Sequence, residues 1–502
     1  MDIVVRRYGN IIDFGPDHRS PTPQHIIDLL TPHLSYRFKE HLRGAAAYDP
    51  HTGERVSVRV HTRYLCQILE GRLTTGTGFI DKLADVLRHN GHTPRLLDVT
   101  PPPPRPRAFE PHWEALNVIR WRPRQQECIA AIAEGVMKRR GGVINAPTGF
   151  GKSMTATCVG LLFPFAKIHI VVRGRGIMAR LRRSLLQYFP NVGQIGDGED
   201  TTGRITLISA DSLHKSDGDC DILLLDEVHV LMGDGYSHEL ANRYLFSVNF
   251  GFSATPYARM DGCSARLDGF CGPMIFHMTY QEAVALGLVV QINVHWLQCR
   301  MQNNPAAGRR ETSKKRWGIW RNDYRNSLFA AAVREVPQTD QVLMLVENVE
   351  HAVYLGSQLP EFRLVYGSMK NDDLVSYKHH GLLPEDYEPV DRKQVIAMQT
   401  DFERGTLKRV IATDVWSTGV DFEQLAVVAR CDDRDSDILD SQGPGRTSRV
   451  FDGKDSGRLI DSMDIFDDGL FRKSKGRRAS YRALGWGEDW PVGNRQISRE
   501  GG

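Results

Sequence analysis

None of the eight cysteines, at positions 66, 128, 158, 220, 263, 271, 299 and 431, belongs to a C-x-x-C pair. That scatter argues against a zinc site or a disulfide framework and suits a reducing compartment. Charge of one sign is also missing, since 64 Lys and Arg against 61 Asp and Glu leave a formal net charge of +3. No global basic excess marks a nucleic-acid partner, so local patches must carry any such signal. No uncharged apolar run is long enough to span a bilayer. The start, Met1-Asp2-Ile3-Val4-Val5, lacks the basic and apolar regions of a secretory signal and is expected to form a strand. A cytoplasmic protein is the expectation. At 502 residues the chain exceeds one ordinary core, and roughly 100 to 200 residues per domain predicts about three.

What is present is concentrated in Ala146-Pro147-Thr148-Gly149-Phe150-Gly151-Lys152-Ser153. Gly142 to Asn145 before it is short and β-branched, and Met154 to Phe163 after it carries apolar residues at helical spacing. Strand, glycine-rich loop and helix form the context in which backbone N–H groups and a helix N-terminus converge on phosphate oxygens. In that pattern Lys152 reaches the β- and γ-phosphates of a bound nucleotide and Ser153 ligates Mg²⁺. Ala146 departs from the first glycine of G-x-x-x-x-G-K-S. The plainer alternative is a glycine-rich turn with a solvated lysine.

Residues 1–98 have the pattern of a small α/β module: a strand at Ile3 to Val5, an amphipathic helix from Pro23 to Leu34, a strand from Arg55 to Val60 and a helix from Ile80 to Asn90, ending at Gly91. Arg55, Arg59, Arg63 and Arg72 recur there, as a phosphate-binding face or a plain solvated one. The prolines at 101 to 104 and 106 favour stiff extended chain and set a linker at 99–112. An SH3-ligand reading of that run ranks below the linker.

Residues 113–290 alternate short apolar strands with helices, the mark of a parallel sheet wrapped by crossovers. In such sheets ligands collect at the carboxyl ends of the strands. Ile222 to Leu225 runs directly into Asp226-Glu227-Val228-His229. There Asp226 suits the Mg²⁺ water shell and Glu227 suits polarising the attacking water; an acidic pair at a helix N-terminus is the alternative. His229 suits sensing of the γ-phosphate or contact with the next motif. That motif, Ser253-Ala254-Thr255-Pro256, offers hydroxyls at another strand end for coupling hydrolysis to a nucleic-acid site.

Residues 291–502 repeat the alternation without a second phosphate loop, with strands at 341–346, 362–366 and 408–412 and helices at 349–359 and 392–404. Arg300 to Arg321 is polar and basic and reads as a mobile connection or insertion, and His379 to Pro389 reads as a surface loop. Arg446 and Arg449, three apart on a helix, share a face and suit arginine fingers, with surface salt bridging as the alternative. The tail from Leu470 is a basic helix with aromatics, for which phosphate contact and packing on the second domain are equal readings.

In their order these motifs resemble superfamily 2 helicases, the DEAD/DEAH-like ATPases with two RecA-like domains. Arg122-Pro123-Arg124-Gln125 resembles the R-P-x-Q element in which Arg122 and Gln125 read adenine. A-P-T-G-F-G-K-S resembles the first motif, D-E-V-H the second and Ser253-Ala254-Thr255 the third. Val346 to His351 sits where the fourth lies. Ala412-Thr413-Asp414 with Ser417-Thr418-Gly419-Val420-Asp421 resembles the fifth, and Gln442 to Arg449 the sixth. The resemblance implies an α/β chain of two RecA-like parallel-sheet domains in tandem plus a small N-terminal α/β accessory domain. It implies ATP and Mg²⁺ as cofactors and catalytic roles for Lys152, Asp226, Glu227, Arg446 and Arg449. Gly419 and Asp421 join the nucleotide site, while His229, Ser253, Thr255 and Gln442 couple it to nucleic acid, which Arg173, Arg175 and Thr413 contact. Where the family has V-P-T after the second strand, this chain has Val172-Arg173-Gly174-Arg175.

Within that superfamily the chain is similar to phage and prophage repair helicases of the UvsW type, relatives of XPB and RecG. The likeness rests on the W-x-P-x-Q start, the N-terminal module, the segment from Met278 to Leu288 and the closing Tyr481-Arg482-Ala483-Leu484-Gly485-Trp486. It implies a DNA helicase or translocase acting on branched DNA, by branch migration, fork regression or R-loop unwinding, in a bacterial or phage-infected cell. The N-terminal module is then the DNA-binding accessory. An RNA helicase, the motor of a restriction system and a nucleic-acid-binding protein with a degenerate ATPase are the alternatives.

Overall fold

A computed structural model describes residues 1–41, 58–257, 264–416, 422–434, 445–451 and 454–489. The chain divides into two compact units, Met1–Pro147 with Gly151–Met278, and Thr148–Phe150 with Thr279–Gly502.

The first unit opens with a five-stranded sheet in the order Cys66–Leu69, Arg72–Gly76, Ile11–Gly15, Asp2–Tyr8, Thr93–Asp98. Alternation decides its inward face: Ile3 and Val5 are buried while their neighbours are not. Ile80, Leu83, Ala84 and Leu87 give the helix Ile80–His89 its buried stripe against the same core. Gly91, at φ 75°, follows the helix end. Arg72 is buried and donates to Asp13 at 2.7 Å, so it belongs to the module's interior and not to a basic face. Among the described residues Ser35–His41 and Val58–Tyr64 pair only with each other, as an antiparallel ribbon on which Val60 and Tyr64 are exposed. Arg55 lies outside the described residues.

This module is fastened to the sheet that follows. The Asn10 N–H donates to the Leu245 carbonyl at 2.7 Å, and its side-chain amide donates to the carbonyls of Tyr244 and Ser247 at 2.7 and 3.0 Å. Gly78 comes so near the Asp268 carbonyl that a Cβ would stand 1.8 Å from its oxygen. Arg105, inside the proline run, is held by Asp221 at 2.5 Å and Asp219 at 2.7 Å.

The eight-stranded sheet runs Glu199–Thr201, Gly193–Gly196, Ile205–Ser209, Ile168–Val172, Ile222–Asp226, Val248–Ser253, Gly142–Asn145, Met274–His277. All pairings are parallel except the edge pair of Glu199–Thr201 with Gly193–Gly196. The central strands are buried along their length up to Asp226, which is partly exposed, as expected where helices cover both faces.

The second unit has a seven-stranded, wholly parallel sheet: Arg363–Val365, Arg409–Ala412, Gln341–Leu345, Leu425–Arg430, Ser456–Asp464, Gln291–Cys299, Gly487–Asp489. The basic segment after Cys299 is structured and not a mobile connection. It forms a helix at Glu311–Lys315 and a π-turn at Arg316–Trp320. Lys315 pairs with Glu347 at 2.7 Å, while Arg316 and Arg321 pair with Glu350 at 3.1 and 2.5 Å.

The tail helix Asp468–Ala483 packs on the second domain. Arg477 is fully buried and pairs with the equally buried Asp461 at 2.8 Å, whose carboxylate also accepts from Tyr481 at 2.8 Å. Arg478 and Arg482 both grip Glu488. Of the helix's basic residues Arg472, Lys475 and Arg482 are exposed, and Arg482 is held by Glu488. Among the described residues no helix is long and apolar enough to cross a membrane.

Candidate active site

The strand Gly142–Asn145 delivers the phosphate loop at its carboxyl end, and the Ala146 N–H extends the ladder by donating to the Ser253 carbonyl at 3.1 Å. Ala146 is fully buried and has no positive φ, so its methyl group fits where the usual pattern has glycine. The glycines that are needed lie further on. Gly149 has φ 102° and Gly151 φ 99°, in the region that side chains disfavour. A Cβ on Gly151 would also stand 2.5 Å from Gln125 Nε2. Lys152 opens the helix Lys152–Leu162, and Ser153 is exposed in its first turn. Gln125 is buried, and its Oε1 accepts from the Arg122 N–H at 2.9 Å.

The second motif lies in the same sheet. Ile222–Asp226 pairs with Val248–Ser253, which in turn pairs with the strand of the phosphate loop. Glu227 adopts φ 49° and ψ 48° and caps the short helix Val228–Leu231, a left-handed turn of the kind that clusters at functional sites. Gly251 makes that turn possible from behind, because a Cβ there would stand 2.9 Å from Val228 Cγ2. The turn presents Glu227 Oε1 3.8 Å from Lys152 Nζ. Its other oxygen is 3.5 Å from His229 Nδ1. His229, fully buried, is 2.8 Å from Ser253 Oγ, which accepts the Thr255 N–H at 3.0 Å. Of the two uses foreseen for His229, contact with the neighbouring motif is the one observed. Thr255 Oγ1 is buried with no hydrogen-bond partner among the described residues.

Burial first, and the Glu227 charge second, push the Asp226 carboxyl above the ordinary carboxylate range, against the pull of Lys152 and Arg180. The adjacent carboxylates of Asp226 and Glu227 are oxygen donors of the kind that suits a hard divalent cation such as Mg²⁺. Arg180 escaped the sequence reading because nothing in its helix, Arg175–Leu185, sets it apart from Arg182 and Arg183.

Arg173 lines a cleft of about 590 Å³ with Asp211, His214, Val230, Tyr236 and Glu239, at the carboxyl ends of three parallel strands. Arg175 is exposed and pairs with Asp197 at 2.9 Å. In the second unit Thr413 is buried, its N–H donating to the Val365 carbonyl at 3.0 Å, and Asp414 pairs with Arg434 at 2.9 Å. Arg446 and Arg449 do not share a helix face. Arg446–Ser448 is one 3₁₀ turn and Arg449 lies beyond it. Ser448 Oγ donates to the Gly445 carbonyl at 2.6 Å, a local bond of the kind that competes with helix. Gly419, Asp421 and Gln442 lie outside the described residues.

Residues 118–258 match the family model described as type III restriction enzyme, res subunit. Among solved structures, S. cerevisiae Dbp5 bound to RNA and ADP-BeF3 shares 14% identity over 75% of this chain and 92% of its own, with a TM-score of 0.50. A fragment of a putative HsdR subunit of a type I restriction enzyme from Vibrio vulnificus shares 14% identity over 73% of this chain and 67% of its own, with a TM-score of 0.53. T4 UvsW aligns over 98% of this chain and 99% of its own at 14% identity, and its TM-score of 0.37 is too low to carry weight. No curated protein matches the chain in sequence. The match over residues 118–258 and the likeness to the Dbp5 and HsdR structures show that the chain shares the tandem RecA-like fold found in superfamily 2 helicases.

Proposed function

We propose that the chain is an ATP-dependent DNA translocase that remodels branched DNA, through branch migration, fork regression or R-loop unwinding. The observation that carries the motor reading is the unbroken line from Lys152 through Glu227 and His229 to Ser253. It joins the phosphate loop to a hydroxyl at a neighbouring strand end, where a change at the nucleotide can be passed on. Lys152 binds phosphate oxygens, Glu227 orients and deprotonates the attacking water, and Arg122 and Gln125 hold the base. Ser153 and Asp226 would hold Mg²⁺, which supplies charge neutralisation on the phosphates. Arg446 and Arg449 are assigned to the charge that develops in the transition state. Residues 1–98 are assigned as the DNA-binding accessory, with 113–290 and 291–502 as the two motor domains. Arg173, which lines a cleft at the strand ends of the first of these, supports a nucleic-acid path there through its one guanidinium, which can meet a phosphate without base readout.

The test is ATP hydrolysis measured side by side with single-stranded, duplex, forked and R-loop nucleic acids. Strongest stimulation by forked or four-way DNA is expected, and stimulation by RNA alone would reject the reading. The family match over 118–258 favours one second reading, the motor of a restriction system. That reading expects stimulation by linear duplex with no preference for forks.

A further inference from the structure

Arg124 stands in the left-handed region, at φ 60° and ψ 1°, immediately before the helix Gln125–Met137. A residue with a side chain is uncommon there, and such a conformation persists only where its surroundings hold it. Here the restraints come from two directions. Arg124 Nε and Nη2 donate to the two carboxylate oxygens of Glu127 at 2.8 and 2.6 Å. Nη1 donates to the His277 carbonyl at 3.2 Å, and the guanidinium lies over the Phe276 ring, 5.0 Å from its centroid. Glu127 is in the first turn of the helix that Arg124 precedes, whereas Phe276 and His277 are on the edge strand that pairs with Gly142–Asn145. One side chain thus staples the start of a helix to the strand beside the phosphate loop.

What the staple fixes is the next residue. Gln125 is buried, its Oε1 tied to the Arg122 N–H at 2.9 Å and its Nε2 against the open face of Gly151. The backbone turn at Arg124 sets the angle between Arg122 and Gln125, and therefore whether both can meet one planar ligand beside the loop. A right-handed or extended Arg124 would swing Arg122 away from the Gln125 amide and break their hydrogen bond.

We infer that Arg124 is a positioning residue for the nucleotide site, locking Arg122 and Gln125 into the geometry that recognises the base of the bound nucleotide. The inference rests on the proposed reading that these two residues hold the base. It adds that the intervening position is not a spacer, and that an arginine there acts through its clamp on Glu127 and the Phe276–His277 strand.

The experiment compares the full chain with R124A, R124G and E127Q, measuring kcat and KM for ATP and for GTP under stimulating nucleic acid. R124G keeps the left-handed backbone accessible and removes only the clamp, and E127Q weakens the clamp without touching Arg124. Each variant is expected to raise KM for ATP, by about tenfold for R124A and R124G, the effect of roughly one lost hydrogen bond to a charged group. Little change in kcat and a narrowed preference for ATP over GTP should accompany it. A merely structural role would lower stability without moving that preference. Variants that keep the wild-type KM and the wild-type ATP preference overturn the inference and leave the base-holding reading intact. A wild-type protein that turns over ATP and GTP alike overturns the base-holding reading and the inference with it.

Discussion

His229 Nδ1 lies 2.8 Å from Ser253 Oγ and 3.5 Å from Glu227 Oε2. A fully buried imidazole therefore bridges the Glu227 carboxylate and the third motif, on the ends of strands that are neighbours in one sheet. Because the ring is enclosed, neither contact can be exchanged for water without opening the sheet end.

Removing the far end of this bridge should separate hydrolysis from movement. S253A is expected to keep nucleic-acid-stimulated ATP turnover within about threefold, since Glu227 and Lys152 are untouched. Strand displacement on a forked substrate should fall by at least about tenfold, the effect of roughly one buried hydrogen bond. Parallel loss of both activities in steady-state assays would show that the bridge is structural.

Glu227 itself is expected to be indispensable for turnover and dispensable for binding. E227Q should bind a fluorescent ATP analogue with near wild-type affinity, while kcat falls by about 10² to 10⁴, the usual contribution of a general base. Undiminished hydrolysis would remove Glu227 from its assigned role.

Two of the small residues of the phosphate loop, Gly151 and Ala146, make opposite predictions. At Gly151 a methyl group meets both a positive φ and Gln125 Nε2, at 2.5 Å. G151A should weaken ATP binding by about tenfold or more, from strain on the order of 1–3 kcal/mol. Ala146 already fits its buried place, so A146G should leave ATP affinity within about twofold. Titration calorimetry on both variants decides this.

The tail helix depends on its buried ion pair. Because Arg477 and Asp461 are both fully enclosed, R477A strands a carboxylate and should destabilise the second unit by about 3–5 kcal/mol in chemical unfolding. The exposed R472A and K475A should each stay within about 0.5 kcal/mol. A surface-like effect for R477A would contradict the packing of this helix.

Acid should weaken the contact between the last described strand and that helix. Burial works against the Glu488 charge, but hydrogen bonds from Arg478 and Arg482 prevail and hold its carboxyl down at about 2. A depressed carboxylate contributes stability that is complete above its unfolded value, about 4.3, and is lost as pH falls through the folded one. Thermal melts should therefore show wild type above E488Q at pH 7, with the gap closing between about pH 4 and 2. A gap that stays constant across that range would refute the assignment.

Strands with unbroken apolar runs were legible from the residues. Ile168–Val172 and Ile222–Asp226 stand where the pattern puts them. Ser456–Asp464 was not foreseen, because its sequence alternates Arg458, Asp461, Ser462 and Asp464 with apolar residues. Those polar groups are tolerated only because Arg325 and Arg477, far away in sequence, neutralise Asp464 and Asp461. Gly193–Gly196 was missed for a different reason: four residues with two glycines carry almost no pattern. The basic segment after Cys299 looked mobile because its charges are visible in sequence while their partners, Glu347 and Glu350, are not adjacent.

The sequence by itself determined the tandem parallel-sheet architecture and the place of the glycine-rich loop between strand and helix, because periodicity and a glycine-rich loop are local and survive without knowledge of neighbours. Tertiary structure alone decided which charges are free. It tied Arg72 and Arg477 into buried ion pairs, made Arg124 a clamp, and set His229 against Ser253. The physical reason is common to all four. A charged or polar side chain is defined by the partner it meets on burial, and that partner comes from another strand or helix whose distance in sequence carries no signal.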